Sequence, residues 1–402
     1  MNAPANLSDA DERALLDSID RWLTRKVAPV AAKYEEADEY PHELVRDMCD
    51  MGLYGALIDP EYGGLGLGAT TYARIVARIS EEWMSLTGFF NSHLMMALIV
   101  QKFGTEAQKQ HWLPKFATGE LRGGLGLTEA VAGTDLQGIR TTARRVGDRY
   151  VVNGSKLWIT NVIEGDVLAL LVKTDPDAEP RHRGMSMLIT PTRDLATRAD
   201  LPGIERGRKL PKLGYRGIDT GEIGFSDYAC DAALSLVGGE EGRGFLMATG
   251  GLEIGRVNVA ARGVGIARRA LNEAVAYATE RTTMGKPIAE HQAIQLKLGE
   301  MAAKTRAAEL LVEDAARAYD GGGRVDMEAG MAKWFATETA FEVATEAMRI
   351  FGANGYSKEY PIERLYRDAP LLMIGEGTNE MQRIIIARRL VARGGLHPPG
   401  QG

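Results

Sequence analysis

Residues Arg349–Arg383 read RIFGANGYSKEYPIERLYRDAPLLMIGEGTNEMQR, and at their heart a lone acid, Glu376, stands between Gly375 and Gly377. The two glycines leave the backbone open to close approach, and Glu376 reads as sitting on a loop that follows the apolar run Leu371–Ile374. Such a loop is a seat for a general base. The same residues also read as an ordinary turn before a helix capped near Thr378, and the local sequence leaves both readings open.

Working outward, long helical patterns fill the C-terminal part: Phe245–Glu280, His291–Tyr319, Met327–Phe351 and a terminal stretch Asn379–Ala392. They are rich in Ala, Leu, Glu, Met and Arg and carry few breakers, which predicts a four-helix bundle over residues 241–402. Upstream, residues 121–240 change character. Short β-type segments (Leu121–Leu127, Arg140–Val146, Tyr150–Val152, Lys156–Thr160, Val167–Val172, Met185–Thr190, Glu222–Phe225) are divided by turn signals at Gly147-Asp148, Asn153-Gly154 and Asp175-Pro176, the pattern of an antiparallel barrel or sandwich. Residues 1–120 read as mostly helical, opened by a capping box at Ser8 and Asp11 and carrying another at Thr105 and Gln108. The expected fold is therefore α+β: a helical domain, a central β domain, a helical bundle.

Composition narrows the function. With 54 acidic and 48 basic residues the formal charge is -6, which leaves no electrostatic footprint for nucleic acid. Cys49 and Cys230 are too few for a disulfide framework, and the six histidines show no metal-binding spacing, so no metal is expected. The N-terminus lacks a signal-peptide pattern and no run approaches a membrane span, which together predict a cytoplasmic protein. The glycines of Glu61–Gly68 follow no strand of a βαβ unit and are not a dinucleotide fingerprint.

Two β-domain motifs suggest a flat ligand. Leu127–Asp135, LTEAVAGTD, passes from a strand end into a loop of small and hydroxylated residues that exposes backbone N–H groups. Lys156–Asn161, KLWITN, places Trp158 and Thr160 on one face by strand alternation, an indole and a hydroxyl side by side that could stack on a heterocycle or simply fill a core.

Together with ERTTMGKPIAEHQAIQ (Glu280–Gln295) and GEGTNEMQR (Gly375–Arg383), these motifs occur in an order that resembles the acyl-CoA dehydrogenase family, over about Asp11–Ala392. The resemblance implies FAD. Leu125, Leu127, Thr128, Gly133 and Thr134 would line the flavin, and Trp158, Ile159 and Thr160 would lie against its ring, with Thr160 near N5. Arg281 would meet the pyrophosphate, followed in register by Thr283, His291 and Gln292, while Met284 replaces the usual Phe. The family's Q-x-x-G-G motif reads Arg349, Gly352 and Ala353 at its marked positions, so its Gln and second Gly are changed. Thr378 and Glu380 are likewise assigned to the cofactor. Because parts of these segments reach a neighbouring subunit's FAD in the family, a homotetramer is implied, with electron-transferring flavoprotein as electron acceptor.

The resemblance makes Glu376 the base that takes the α-proton of an acyl-CoA thioester while the β-hydride leaves for the flavin. Gly377 lets the backbone reach the thioester carbonyl. The family's alternative base position is Gly255 here. Glu253, Arg256 and Thr134 match positions near the thioester, although Glu253 and Arg256 also read as a surface ion pair. Gly375 stands where straight-chain enzymes carry Tyr, which predicts a branched, cyclic or aromatic acyl group. Arg262, seven residues beyond Gly255, is a candidate for a distal substrate carboxylate or a core-edge Arg. An acyl-CoA oxidase or flavin monooxygenase on the same fold is the alternative function, and a catalytically silent flavoprotein or helical binding protein a third.

Overall fold

The computed structural model describes residues 7–250 and 252–396. Six helices open it: α1 (Asp9–Trp22), α2 (Ala31–Ala37), α3 (His42–Asp50), α4 (Ala69–Trp83), α5 (Ser85–Phe103) and α6 (Glu106–Thr118). Ser8 caps α1 by accepting from the Asp11 N–H at 3.2 Å, and Thr105 with Gln108 forms the reciprocal box that starts α6. Helix α5 is apolar nearly all round and correspondingly buried, packed against α4, α6, α9 (Leu252–Glu280) and the first strand. That central position makes α5 the bridge between the domains.

Seven strands follow: β1 (Gly123–Gly126), β2 (Thr142–Val146), β3 (Arg149–Thr160), β4 (Val167–Lys173), β5 (Met185–Pro191), β6 (Ile204–Arg206) and β7 (Thr220–Asp231). They form one sheet in the order β1-β4-β2-β3-β7-β6, with β5 also on β4. Most pairs are antiparallel as expected, but β4 pairs in parallel with β1 and, at Thr142 and Lys173, with β2. The long connection from β1 to β4 supplies the crossover that parallel pairing requires. Asn153-Gly154 also differs from expectation. It is no turn but a bulge inside one continuous strand, β3, where Gly154 adopts φ +139° and a Cβ would strike Thr141.

After α7 (Ala232–Ser235) come α8 (Gly244–Gly250) and α9, which together cover the expected helix Phe245–Glu280 except for residue 251, outside the described residues. A small hairpin, β8 (Thr282–Thr283) and β9 (Lys286–Pro287), turns through Met284 and Gly285, both at positive φ. Then come α10 (Gln292–Asp320), α11 (Asp326–Phe351), α12 (Ile362–Ile374) and α13 (Asn379–Arg393). Alanines and glycines line the α9–α11 seam, where a Cβ on Gly263 would press on the Ala336 carbonyl. Helix α12, absent from the sequence reading, packs on both α9 and α11, whereas α13 packs on α11. Its buried stripe Ile362, Leu365, Ala369, Leu372 is helical in spacing, and the apolar run Leu371–Ile374 forms its last turn. Among the described residues no helix is long and apolar enough to cross a membrane, and no cluster of acidic, His or Cys side chains is arranged to hold a metal.

Candidate active site

Helix α12 stops at Gly375, Glu376 turns into the left-handed region at φ +57°, Gly377 follows at φ +85°, and Thr378 caps α13 by accepting from the Met381 N–H at 3.4 Å. The turn-and-cap reading and the base-loop reading thus describe the same four residues. A left-handed Glu costs about 1–3 kcal/mol and persists only where its surroundings impose it. Here they do. The fully buried Lys333 of α11 donates to the carbonyls of Met373 at 3.2 Å and Gly377 at 2.9 Å, and to Asn379 Oδ1 at 2.8 Å. Gln382 Nε2 adds a bond to the Gly377 carbonyl at 3.1 Å, and Asn379 is held in turn by Thr337 and Glu338.

The strained turn points the carboxylate inward. Although Glu376 as a residue is partly exposed, Oε1 accepts from Asn91 Nδ2 of α5 at 2.9 Å, and Oε2 is shut off from solvent with no partner. Gly255 explains the space: a Cβ there would collide with Oε2 and crowd Met95 Sδ. The glycine at position 255 therefore makes room for the Glu376 carboxylate. Burial pushes the Glu376 carboxyl above its ordinary range, against the guanidinium of Arg262, the Asn91 amide, the guanidinium of Arg256 and the Lys333 ammonium. Arg256 is buried, with its Nε unpartnered, and makes no direct ion pair with Glu253 among the described residues. The surface-pair reading of those two residues is set aside.

On the β side, Glu129 folds the Leu127–Asp135 loop back on itself. Its carboxylate accepts from the N–H groups of Arg140 at 2.7 Å and Thr141 at 3.0 Å, the Thr141 hydroxyl at 2.6 Å and buried Lys156 Nζ at 2.8 Å. Burial works to raise this carboxyl, but the bonds from Lys156 and Thr141 outweigh it and hold it below its ordinary value. Thr128 is tied to the strand through its carbonyl, which accepts from the Leu157 N–H at 2.8 Å. A second bulge between Lys156 and Ile159, with Trp158 at φ +61°, replaces simple alternation: the indole stands 57% exposed, Thr160 is half-buried, and the Ile159 side chain is in the core. An exposed indole beside a loop whose Gly133 and Thr134 are open suits a flat cofactor, so these residues fit FAD.

Helix α5 joins the two sides. Asn161, next to Thr160, donates to the Phe89 carbonyl at 2.8 Å, and two residues on Asn91 grips Glu376. The remaining cofactor candidates lie elsewhere. Arg281, Thr283 and Gln292 are exposed beyond the C-terminal end of α9, where half-buried His291 contacts the Thr283 hydroxyl at 3.1 Å. Gly352 and Ala353 sit at the same end, since Asn354 bonds Tyr277 at 2.9 Å and Phe351 stacks on Tyr277. Arg349 is exposed and paired with Glu346, and Glu380 is exposed on the first turn of α13. From Arg256 to Arg281 is about 38 Å along the axis of α9, so this group lies at the far end of that helix from Glu376. Asn91, Lys333 and the Glu129–Lys156 pair escaped the sequence reading; the signals they left are an amide in an apolar helix and lysines inside buried patterns.

Known proteins place this architecture. The N-terminal domain of acyl-CoA dehydrogenase matches residues 9–120, its middle domain 124–228 and its C-terminal domain 242–391. An acyl-CoA dehydrogenase of Bacillus subtilis (strain 168) is 38% identical, covering 94% of this chain and 98% of its own length. A 3-(aryl)acrylate reductase of Clostridium sporogenes (strain ATCC 15579) is 36% identical over 92% of this chain and 96% of its own length, and a (2S)-methylsuccinyl-CoA dehydrogenase of Cereibacter sphaeroides is 36% identical over 95% and 70%. The solved butyryl-CoA dehydrogenase from Megasphaera elsdenii superposes with a TM-score of 0.89 at 34% identity, covering 96% of this chain and 99% of that one. The chain belongs to the acyl-CoA dehydrogenase family, oxidoreductases acting on CH–CH bonds with FAD as cofactor.

Proposed function

We propose that this protein desaturates an acyl-CoA thioester between Cα and Cβ, with Glu376 as the base that takes the α-proton. The observation that carries the reading is the buried, unpartnered Oε2 of Glu376 in the space left by Gly255. A desolvated carboxylate with a raised pKa is a stronger base than one in water, and Asn91 fixes its orientation without occupying the reactive oxygen. Gly377, free of a side chain, permits the close backbone approach that stabilises an enolate-like carbonyl. FAD, when bound, supplies the acceptor for the β-hydride. Thr128, Thr134, Trp158 and Thr160 are the residues proposed to hold it, with Leu125, Leu127 and Gly133 lining the loop and Ile159 contributing backbone alone.

Gly375 leaves the approach to the base uncrowded, which supports a branched, cyclic or aromatic acyl group. Relatives named for aryl-acrylate and methylsuccinyl-CoA are in keeping with this. The separation between Arg281 and the loop of Glu376 supports a homotetramer in which Arg281, Thr283, His291, Gln292, Arg349, Gly352 and Ala353 serve a neighbouring subunit's FAD. Electron-transferring flavoprotein is the proposed acceptor and the cytoplasm the proposed location. The test is anaerobic: acyl-CoAs added singly are expected to bleach the flavin of the wild type, and Glu376→Gln is expected to slow bleaching by at least about 10³-fold while keeping its FAD. Unchanged bleaching in that variant, or rapid peroxide formation by the wild type in air, overturns the dehydrogenase reading.

A further inference from the structure

Arg262 is a buried charge that the protein itself leaves incompletely met. It is 4% exposed, its Nη1 donates to the Tyr215 hydroxyl at 3.3 Å, its guanidinium lies 5.7 Å from the centre of that ring, and its Nε is buried without a partner. Arg256 has a buried, unpartnered Nε as well, and Lys333 reaches only carbonyl and amide oxygens. Three buried cations thus act on the Glu376 carboxylate, whose Oε2 is shut off from solvent; Arg256 also feels Glu253 and the buried Asp326, whereas Arg262 has no carboxylate among its hydrogen-bond partners. Buried charges are ordinarily paired, and an unmet guanidinium costs several kcal/mol. Arg262 is left with a buried N–H donor that no acceptor of the protein meets.

Position along α9 says where the missing acceptor belongs. Gly255, which faces the Glu376 carboxylate, and Arg262 are seven residues apart on one face, about 10.5 Å along the axis. Helical side chains lean back toward the N-terminus, so the long Arg262 side chain covers much of that gap toward Glu376. Val259, buried on the turn between them, gives the intervening wall an apolar surface.

Resting on the reading of Glu376 as the base, we infer that Arg262, oriented by Tyr215, binds a carboxylate at the far end of a short acyl chain. The preferred substrate is then a dicarboxylic acyl-CoA with a backbone of about four or five carbons, branched where Gly375 leaves room, and its carboxylate accepts the fork of N–H donors that Arg262 presents. Tyr215 acts as a positioning residue. Its backbone is fixed by the buried Asp368, which accepts from the Tyr215 N–H at 2.6 Å, so the hydroxyl holds Nη1 and leaves Nε for the ligand.

Matched thioesters that differ only in the distal group test this on the FAD-loaded enzyme: 2-methylsuccinyl-CoA against 2-methylbutanoyl-CoA, and glutaryl-CoA against pentanoyl-CoA. Calorimetric affinity and anaerobic bleaching are both read. The wild type is expected to bind at least one diacid more than tenfold more tightly than its uncharged partner. Arg262→Gln is expected to erase that ratio while leaving affinity for the uncharged member within about threefold, and Tyr215→Phe to reduce it partly. Equal or weaker binding of both diacids by the wild type overturns the inference, with no variant needed, as does a loss in Arg262→Gln that is equal for both members of a pair. If no thioester bleaches the flavin but the affinity ratio stands, the dehydrogenase reading fails and the carboxylate site survives.

Discussion

Each flank of the site is held from behind by a fully buried lysine, and the two lysines are used differently. On the β side Lys156 meets the Glu129 carboxylate and the Leu127 carbonyl, so its charge is cancelled at contact distance. On the helical side Lys333 meets two carbonyls and an amide oxygen, and the acid its charge most affects is Glu376 itself. Both fix a loop backbone. Lys156 does so as half of a closed pair, whereas Lys333 leaves its field open toward Glu376, where burial raises the carboxyl and Arg262, Asn91, Arg256 and then Lys333 work against it. On the proposed reading, a loop that presents backbone to a cofactor needs only rigidity, and a loop that presents a base needs rigidity and a tuned charge.

The difference predicts unequal damage. Lys156→Met leaves the Glu129 carboxylate buried without its cation and is expected to cost about 3–5 kcal/mol, read as a lowered urea midpoint, together with faster FAD release. Glu129→Gln paired with Lys156→Met should recover part of that loss. Lys333→Met leaves no charge stranded, and Gln382 still serves the Gly377 carbonyl, so the expected cost is smaller, about 2–3 kcal/mol. Its main effect should fall on turnover: with the left-handed turn no longer braced, kcat is expected to drop at least tenfold with KM changed less than threefold. A larger stability loss at Lys333 than at Lys156, or a loss in KM alone, breaks the contrast.

Much of this frame is legible in the sequence because it rests on local rules. The capping pair Thr105 and Gln108, the apolar α5 and the Thr378 cap each declare themselves within a turn or two. What stays hidden depends on partners far along the chain. Asn91 reads as an odd amide until α12 brings Glu376 to it, and Lys333 reads as one charge in an alanine-rich helix until the Gly377 carbonyl arrives. Helix α12 escapes because Pro361 and Pro370 suggest loop, although one opens the helix and the other is accommodated inside it. Strand alternation misplaces Trp158 for a similar reason: bulges shift the side-chain period, and nothing in KLWITN marks where one falls.

The smallest expected change in stability is at Glu376 and has the opposite sign. Burial raises this carboxyl above its ordinary 4.5, so the folded state holds the proton more tightly than the unfolded chain does. Below the unfolded value both states are protonated and the residue carries no charge penalty. As pH rises through the window between the unfolded and the raised folded value, the unfolded chain ionises first and the native state loses stability, and above the folded value the loss is constant. Glu376→Gln, which keeps an acceptor for Asn91 but never ionises, should therefore be more stable than the wild type at neutral pH, with the gain fading to nothing below about pH 4. Thermal melts of both proteins across that range check it. If the gain persisted in acid it would come from packing and not from charge, and the open field of Lys333 would not be what distinguishes the helical flank from the β flank.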